Sequence, residues 1–108
     1  MLCSSAVKIN PVSAACYFAD NDLIAIGAIR ALREFGFRIP EDISIIGFDN
    51  LPQCESHLPA LSTVRVPIRP MGEIAAQHII RRIANPDMIP LKIEVTTNLI
   101  KRKSVYKA

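Results

Sequence analysis

Two short apolar runs, Ala14–Ala19 (AACYFA) and Ile43–Phe48 (ISIIGF), are each followed at once by acids and asparagine, and a helix-length stretch separates them. A strand without polar alternation has to be covered on both faces. That is the situation of a parallel sheet between helical layers. The intervening stretch opens on Asp20, Asn21 and Asp22, which are helix-starting side chains, and closes at Gly36, a C′ residue suited to a left-handed conformation. The pattern predicts a helix over roughly Asp22–Phe35. Arg38-Ile39-Pro40-Glu41-Asp42 forms the turn into the second strand, and a loop with Pro52 and Pro59 leads to a third strand at Ser62–Val66. Pro67 and Pro70 stop that strand and start a second helix over roughly Pro70–Ala84, which Asn85-Pro86-Asp87 terminates. Ile93–Ile100 is the last strand. The order β-α-β-β-α-β predicts an α/β fold with a mainly parallel sheet and flanking helices.

Length and composition bound this further. The 108 residues allow one small domain or a piece of a larger one. With 50% hydrophobic and 21% charged residues, disorder and a collagen-like fibre are excluded. No run approaches the ~18 apolar residues that a membrane span needs. The start MLCSSAVKINPVS lacks a basic region followed by an apolar core, so no secretory leader is expected. Three cysteines, Cys3, Cys16 and Cys54, lack metal-ligand spacing and fit reduced thiols in a cytoplasmic protein. The formal net charge of +3 is carried by the end of the chain: without Lys101, Arg102, Lys103 and Lys107, nine basic side chains face ten acidic ones. A solvated basic end is the plainer reading than a nucleic-acid contact.

On a helical wheel, Gly72, Ala75, Ala76, Ile79, Ile80 and Ile83 share one arc of the second helix, while Glu73, Gln77 and Arg81 face away. This is a sheet-covering helix. The first helix carries Leu23, Ile26 and Gly27 on the same side as Arg30, Arg33 and Glu34. That side reads either as ordinary scattered apolar surface or as a subunit interface with an arginine rim.

Ligands of parallel α/β sheets gather beyond the carboxyl ends of the strands. Asp20-Asn21-Asp22 follows the first strand and Asp49-Asn50 the second. A right-handed crossover sets such strands about 4.8 Å apart, which brings Asn21 and Asp49 to one lip of the sheet. A carboxylate accepts from adjacent hydroxyls and an amide both donates and accepts, so the pair suits a neutral polyol or sugar. Asp22 in the first helical turn opposes a phosphate there. Helix capping by Asn21 and Asp22, and a side-chain-stabilised turn at Asp49-Asn50, remain the plain structural alternatives.

Catalytic readings have little support. His57 and His78 are isolated from other metal-ligand types, Cys54 beside Glu55 has no cation to activate it, and there is no GxGxxG, P-loop or GxSxG motif. A phosphoacceptor role for Asp49 lacks the lysine that a receiver domain places at a later strand end. No catalytic residue, metal or cofactor is expected.

Ala19-Asp20-Asn21-Asp22-Leu23-Ile24-Ala25-Ile26-Gly27-Ala28 through Ala31-Leu32 resembles the ANDxxAxGxxxAL signature of the LacI/GalR family of bacterial transcription repressors. Arg38-Ile39-Pro40-Glu41-Asp42-Ile43-Ser44-Ile45-Ile46-Gly47-Phe48-Asp49 resembles that family's R-x-P-x-D-[IV]-S-[IV]-x-G-[FY]-D block. Pro59-Ala60-Leu61-Ser62-Thr63-Val64, Met71-Gly72 and Leu99-Ile100-Lys101-Arg102-Lys103-Ser104 continue the resemblance in order, from about residue 11 to residue 105. One departure is Asp20, where many relatives have a small or uncharged residue.

The resemblance implies a partial periplasmic-binding-protein type I fold, the LacI core, in which an effector binds between two subdomains joined by three crossovers. Residues 1–11 would be a residual N-terminal segment and 12–66 part of the C-terminal subdomain. Residues 67–108 would be the crossover helix and last strand, shared with an N-terminal subdomain that falls outside the sequence. The helix-turn-helix that contacts operator DNA also falls outside it. Asn21 and Asp49 would contact a small, sugar-like effector. The first helix and the loop Leu51–Leu58 would form the dimer, with Leu23, Ile26, Arg30, Cys54 and His57 at the interface. A helix deprived of its covering layer around Ile79 and Ile83 predicts self-association, by exchange of the C-terminal helix and strand between chains. A periplasmic sugar-binding transport protein is the alternative, and a small hydrolase or transferase a third reading without a catalytic constellation. No membrane partner is expected.

Overall fold

Four strands and three helices follow one another through residues 16–106, the part of the chain that the computed structural model describes. They are β1 (Cys16–Phe18), α1 (Asp22–Glu34), β2 (Ser44–Asp49), α2 (Gln53–Ser56), β3 (Ser62–Arg65), α3 (Ile68–Ala84) and β4 (Asn98–Ile100). The sheet runs β1-β2-β3-β4, with the first two pairings parallel and the last antiparallel. It is therefore a mainly parallel sheet with helices, the predicted α/β class.

Local chemistry explains the boundaries of α1. Asn21 stands in extended geometry and its side-chain oxygen accepts the Ile24 N–H at 2.8 Å, satisfying one of the unpaired donors of the first turn. At the far end Gly36 takes φ +90, its N–H bonds the Arg33 carbonyl and the Phe37 N–H bonds the Leu32 carbonyl. This two-bond closure needs a left-handed residue at position 36, which glycine supplies without a steric penalty. In the turn before β2, Asp42 accepts both the Arg38 backbone N–H (2.7 Å) and its guanidinium (3.0 Å). The hydrogen bonds from Arg38 hold the Asp42 carboxyl below the usual carboxylate range.

Ala25 and Ile29 of α1 pack with Ile39, Ile43, Ile45, Cys54 and Leu61 to form the core, on one face of the sheet only. In register, Tyr17, Ile45, Gly47 and Thr63 point to that face, and Phe18, Ile46, Phe48, Val64 and Leu99 to the other. The second face is covered only at Ser44 and Ser62, by the segment after β4; beyond them it is largely bare, with Phe18 61% and Leu99 62% exposed and the Phe18 and Phe48 rings meeting edge-on at 6.3 Å.

Several expectations need correction. Strand β1 is exposed along its described length rather than covered on both faces, because it is the sheet's edge and the second face has no layer upon it; positions 14 and 15 lie outside the described residues. The loop after β2 contains the short helix α2, which serves as part of a parallel crossover. Helix α3 begins at Ile68, so Pro70 lies inside its first turn, where a missing N–H costs nothing. It buries no residue. The last strand shrinks from 93–100 to Asn98–Ile100. Finally, the basic end is not simply solvated. Ser104 is fully buried and bridges Ser62 N–H (2.8 Å) to the Ile45 carbonyl, while Arg102 runs inward; Lys101 and Lys103 stay exposed.

Candidate functional site

Parallel pairing decides where the polar groups land. Phe18 is in register with Ile46, so Asn21 and Asp49 each lie three residues beyond the same rung and stand at the carboxyl-end rim of adjacent strands. Asn21 uses its side-chain oxygen to cap α1, which leaves its amide nitrogen, with two N–H donors, as the group for a ligand. Asp49 ends β2 with φ +114 and Asn50 follows with φ +62. Two consecutive non-glycine residues in left-handed backbone are strained, and such strain concentrates at ligand sites. Asp49 pairs in register with Arg65 at the end of β3, which brings an exposed guanidinium to the same rim. Sequence reasoning missed Arg65; the signal that finds it is the rule already applied to the first two strands, carried on to the third.

Asp22 behaves differently from its neighbours. Its carboxylate is completely buried, accepting the Thr63 hydroxyl at 2.6 Å with one oxygen and the Leu51 N–H at 2.7 Å with the other. A buried charge is tolerable only with such partners. Gly47, in register with Thr63, leaves the space that this carboxylate occupies. Asp22 is thus neither a ligand group nor a simple cap but the knot that ties α1, β3 and the segment after β2 together.

The five residues expected at a dimer interface separate into two sets. Leu23, Ile26 and Arg30 of α1 line a shallow groove with His57 and Leu58 from the segment after α2, and Gln53 and Ser56 complete it. Arg33 fixes one wall by donating to the Leu58 carbonyl at 2.6 Å, and the His57 Nδ1–H donates to the Pro59 carbonyl at 3.1 Å. Cys54 does not belong with them, and its assignment to the interface is corrected: it is fully buried beneath the groove, in the core, because α2 turns that side inward. Burial, and Asp22 close by, push its thiol up to about 12, so it stays protonated and unreactive at neutral pH. Among the described residues no group of three His, Cys, Asp or Glu side chains is arranged to hold a metal, and no helix is long and apolar enough to cross a membrane.

Residues 4–105 match the periplasmic binding protein-like domain family. The HTH-type transcriptional repressor PurR of Escherichia fergusonii is 42% identical over 88 residues, which are 82% of this chain and 26% of that protein. Among solved structures, a LacI family transcriptional regulator from Enterococcus faecium with bound ribose superposes with a TM-score of 0.76 at 38% identity, covering 87% of this chain and 35% of the other. A transcriptional regulator CelR–cellobiose complex gives a TM-score of 0.79 at 32% identity, covering 83% and 28%. The chain spans about a quarter of the length of the curated relatives that it matches. These relatives are transcriptional regulators, not enzymes.

Proposed function

The chain belongs to the LacI/GalR family of transcriptional regulators, through its periplasmic-binding-protein-like domain, and on that premise we propose that it supplies one wall of an effector cleft that takes a neutral sugar. The observation that carries this reading is the shared rim of Asn21 and Asp49. The amide donates to a ring or hydroxyl oxygen, the Asp49 carboxylate accepts two neighbouring hydroxyls, and Arg65 supplies further donors beside it. The rim groups are hydrogen-bond donors and acceptors, and the related regulators are solved with bound sugars, which supports binding as the activity. Sugars are the ligands in the ribose and cellobiose complexes of related regulators, which supports the class without naming the effector. A transport protein is not favoured, since the relatives named above are regulators.

In this reading residues 12–66 belong to the C-terminal subdomain, and residues 67–108 supply the crossover helix and last strand. Leu23, Ile26, Arg30 and His57 face the same groove of a second copy across a two-fold axis, an apolar centre with a basic rim. Effector binding then acts by linkage: it favours one arrangement of the subdomains and so repositions helix-turn-helix domains on operator DNA, in the cytoplasm. The test is calorimetric titration of the protein at its full encoded length with ribose and cellobiose, with Asp49→Ala as control. Loss of sugar binding in that variant supports the site; unchanged affinity for a bound sugar rejects it.

A further inference from the structure

The strained backbone at Asp49 and Asn50 is held by groups from three distant parts of the chain. The Asn50 N–H donates to the Thr63 hydroxyl at 3.3 Å, and the Leu51 N–H donates to Asp22 at 2.7 Å. The Asn50 side-chain oxygen accepts from Arg102 Nη2 at 2.7 Å. Arg102 lies two residues beyond β4, and its side chain is only 13% exposed. Its other terminal nitrogen, Nη1, donates to the Leu61 carbonyl at 2.9 Å, its backbone N–H donates to the Ser62 hydroxyl at 2.8 Å, and Nη2 stands 3.6 Å from the Glu55 carboxylate. A planar fork with five donors can serve these oxygens together; an ammonium on a flexible stem cannot.

We propose that Arg102 and Asp22 are positioning residues for the effector-binding carboxylate of Asp49: together they hold the left-handed Asp49–Asn50 turn and so fix where that carboxylate stands on the rim. Neither touches the ligand. Asp22 anchors the amide that follows the turn and orients Thr63 for the amide within it. Arg102 ties the turn to the chain that leaves β4, so the rim cannot shift without that segment. The proposal rests on the rim's being the sugar site, and its test separates the two ideas.

Arg102→Lys keeps the charge and removes the fork. With the protein at its full encoded length, three-bond HN–Hα couplings and amide exchange at Asp49, Asn50 and Leu51 report the turn, and ribose titration reports the site. The expected result is loss of the left-handed couplings at positions 49 and 50, unchanged exchange in the centre of β2, and ribose binding weakened roughly tenfold. In an Asp49→Asn background the same change has no further effect on ribose, because both substitutions remove one interaction. Asp22→Asn gives the same signature where it folds. Couplings that persist in Arg102→Lys overturn the proposal, as does a collapsed turn with undiminished ribose affinity, or a loss that adds fully to that of Asp49→Asn. A wild type that binds neither ribose nor cellobiose while the turn still collapses in Arg102→Lys defeats the sugar reading and leaves the turn-holding role established.

Discussion

Gly47 and Asp22 share a space that admits only one of their side chains. A Cβ on Gly47 would run into the Asp22 carboxylate and stand 3.1 Å from both Asp22 Cα and Leu61 Cδ2, with backbone on one side and packed core on the other. Gly47→Ala is therefore expected to destabilise the fold by about 1–3 kcal/mol, read as a lower urea midpoint at constant m. Beside this pair, burial pushes the Cys54 thiol from an ordinary 9.0 up to about 12. The folded chain keeps a proton that the unfolded chain releases, so this thiol's contribution to stability is complete below pH 9.0 and is lost as pH rises towards about 12. Urea unfolding across that range is expected to show a decline that is shallower in Cys54→Ala, and a maleimide at neutral pH should label the exposed Cys16 but spare Cys54. The rim pair Asn21 and Asp49 was legible in the sequence because strand ends alone locate it. Asp22 was not: its local pattern is that of any first-turn acid, and its inward turn depends on Thr63, 41 residues away.

Elements followed the sequence where a local signal and a tertiary partner agreed. Helix α1 has both, a side-chain cap at Asn21 and a left-handed glycine at position 36, and its bounds fall within a residue of those expected. The last strand had only half of the requirement. Its β-rich run 93–97 finds no strand to pair with and lies along α3 instead, where Leu91, Ile93 and Val95 line an apolar groove with Met71, Ile74 and Ile79. A strand is defined by its neighbour as much as by its residues. Capping also confounds any test of Asn21 as a ligand group, since removing its side chain costs about 1 kcal/mol of helix stability by itself. Asn21→Asp separates the roles. The carboxylate still accepts the Ile24 N–H but has no N–H to give, so the expected outcome is an unchanged melting temperature with weakened sugar binding in the full-length protein. Equal sugar affinity in Asn21→Asp would reduce Asn21 to a cap.

At the scale of the whole fold, the described residues are too extended for their number. Their radius of gyration is 19.7 Å and their extents are 66 × 28 × 23 Å, whereas a compact chain of this size has a radius of about 13 Å. Helix α3, which buries no residue, has no layer to cover, and the sheet also keeps one largely bare face. Ile79 is 58% and Ile83 75% exposed on α3, and Phe18 and Leu99 stand open on the sheet. Leaving this much apolar area in water is unfavourable at about 25 cal/mol per Å², and a second chain is the partner always at hand. The isolated 108-residue chain is therefore expected to run in light scattering as a dimer or larger, with a mass that 1 M salt does not lower, because apolar contacts are unscreened. Paired substitutions Ile79→Glu and Ile83→Glu place charges where the second chain would sit. They touch no core residue, so they should shift the population towards monomer without lowering the melting temperature of the β2–β3 core. If the unsubstituted chain is already monomeric at every concentration measured, the bare faces are tolerated alone and the exchange of α3 and β4 between copies has no basis. If it associates but the glutamate pair leaves the mass unchanged, the bare face of the sheet rather than α3 holds the copies together.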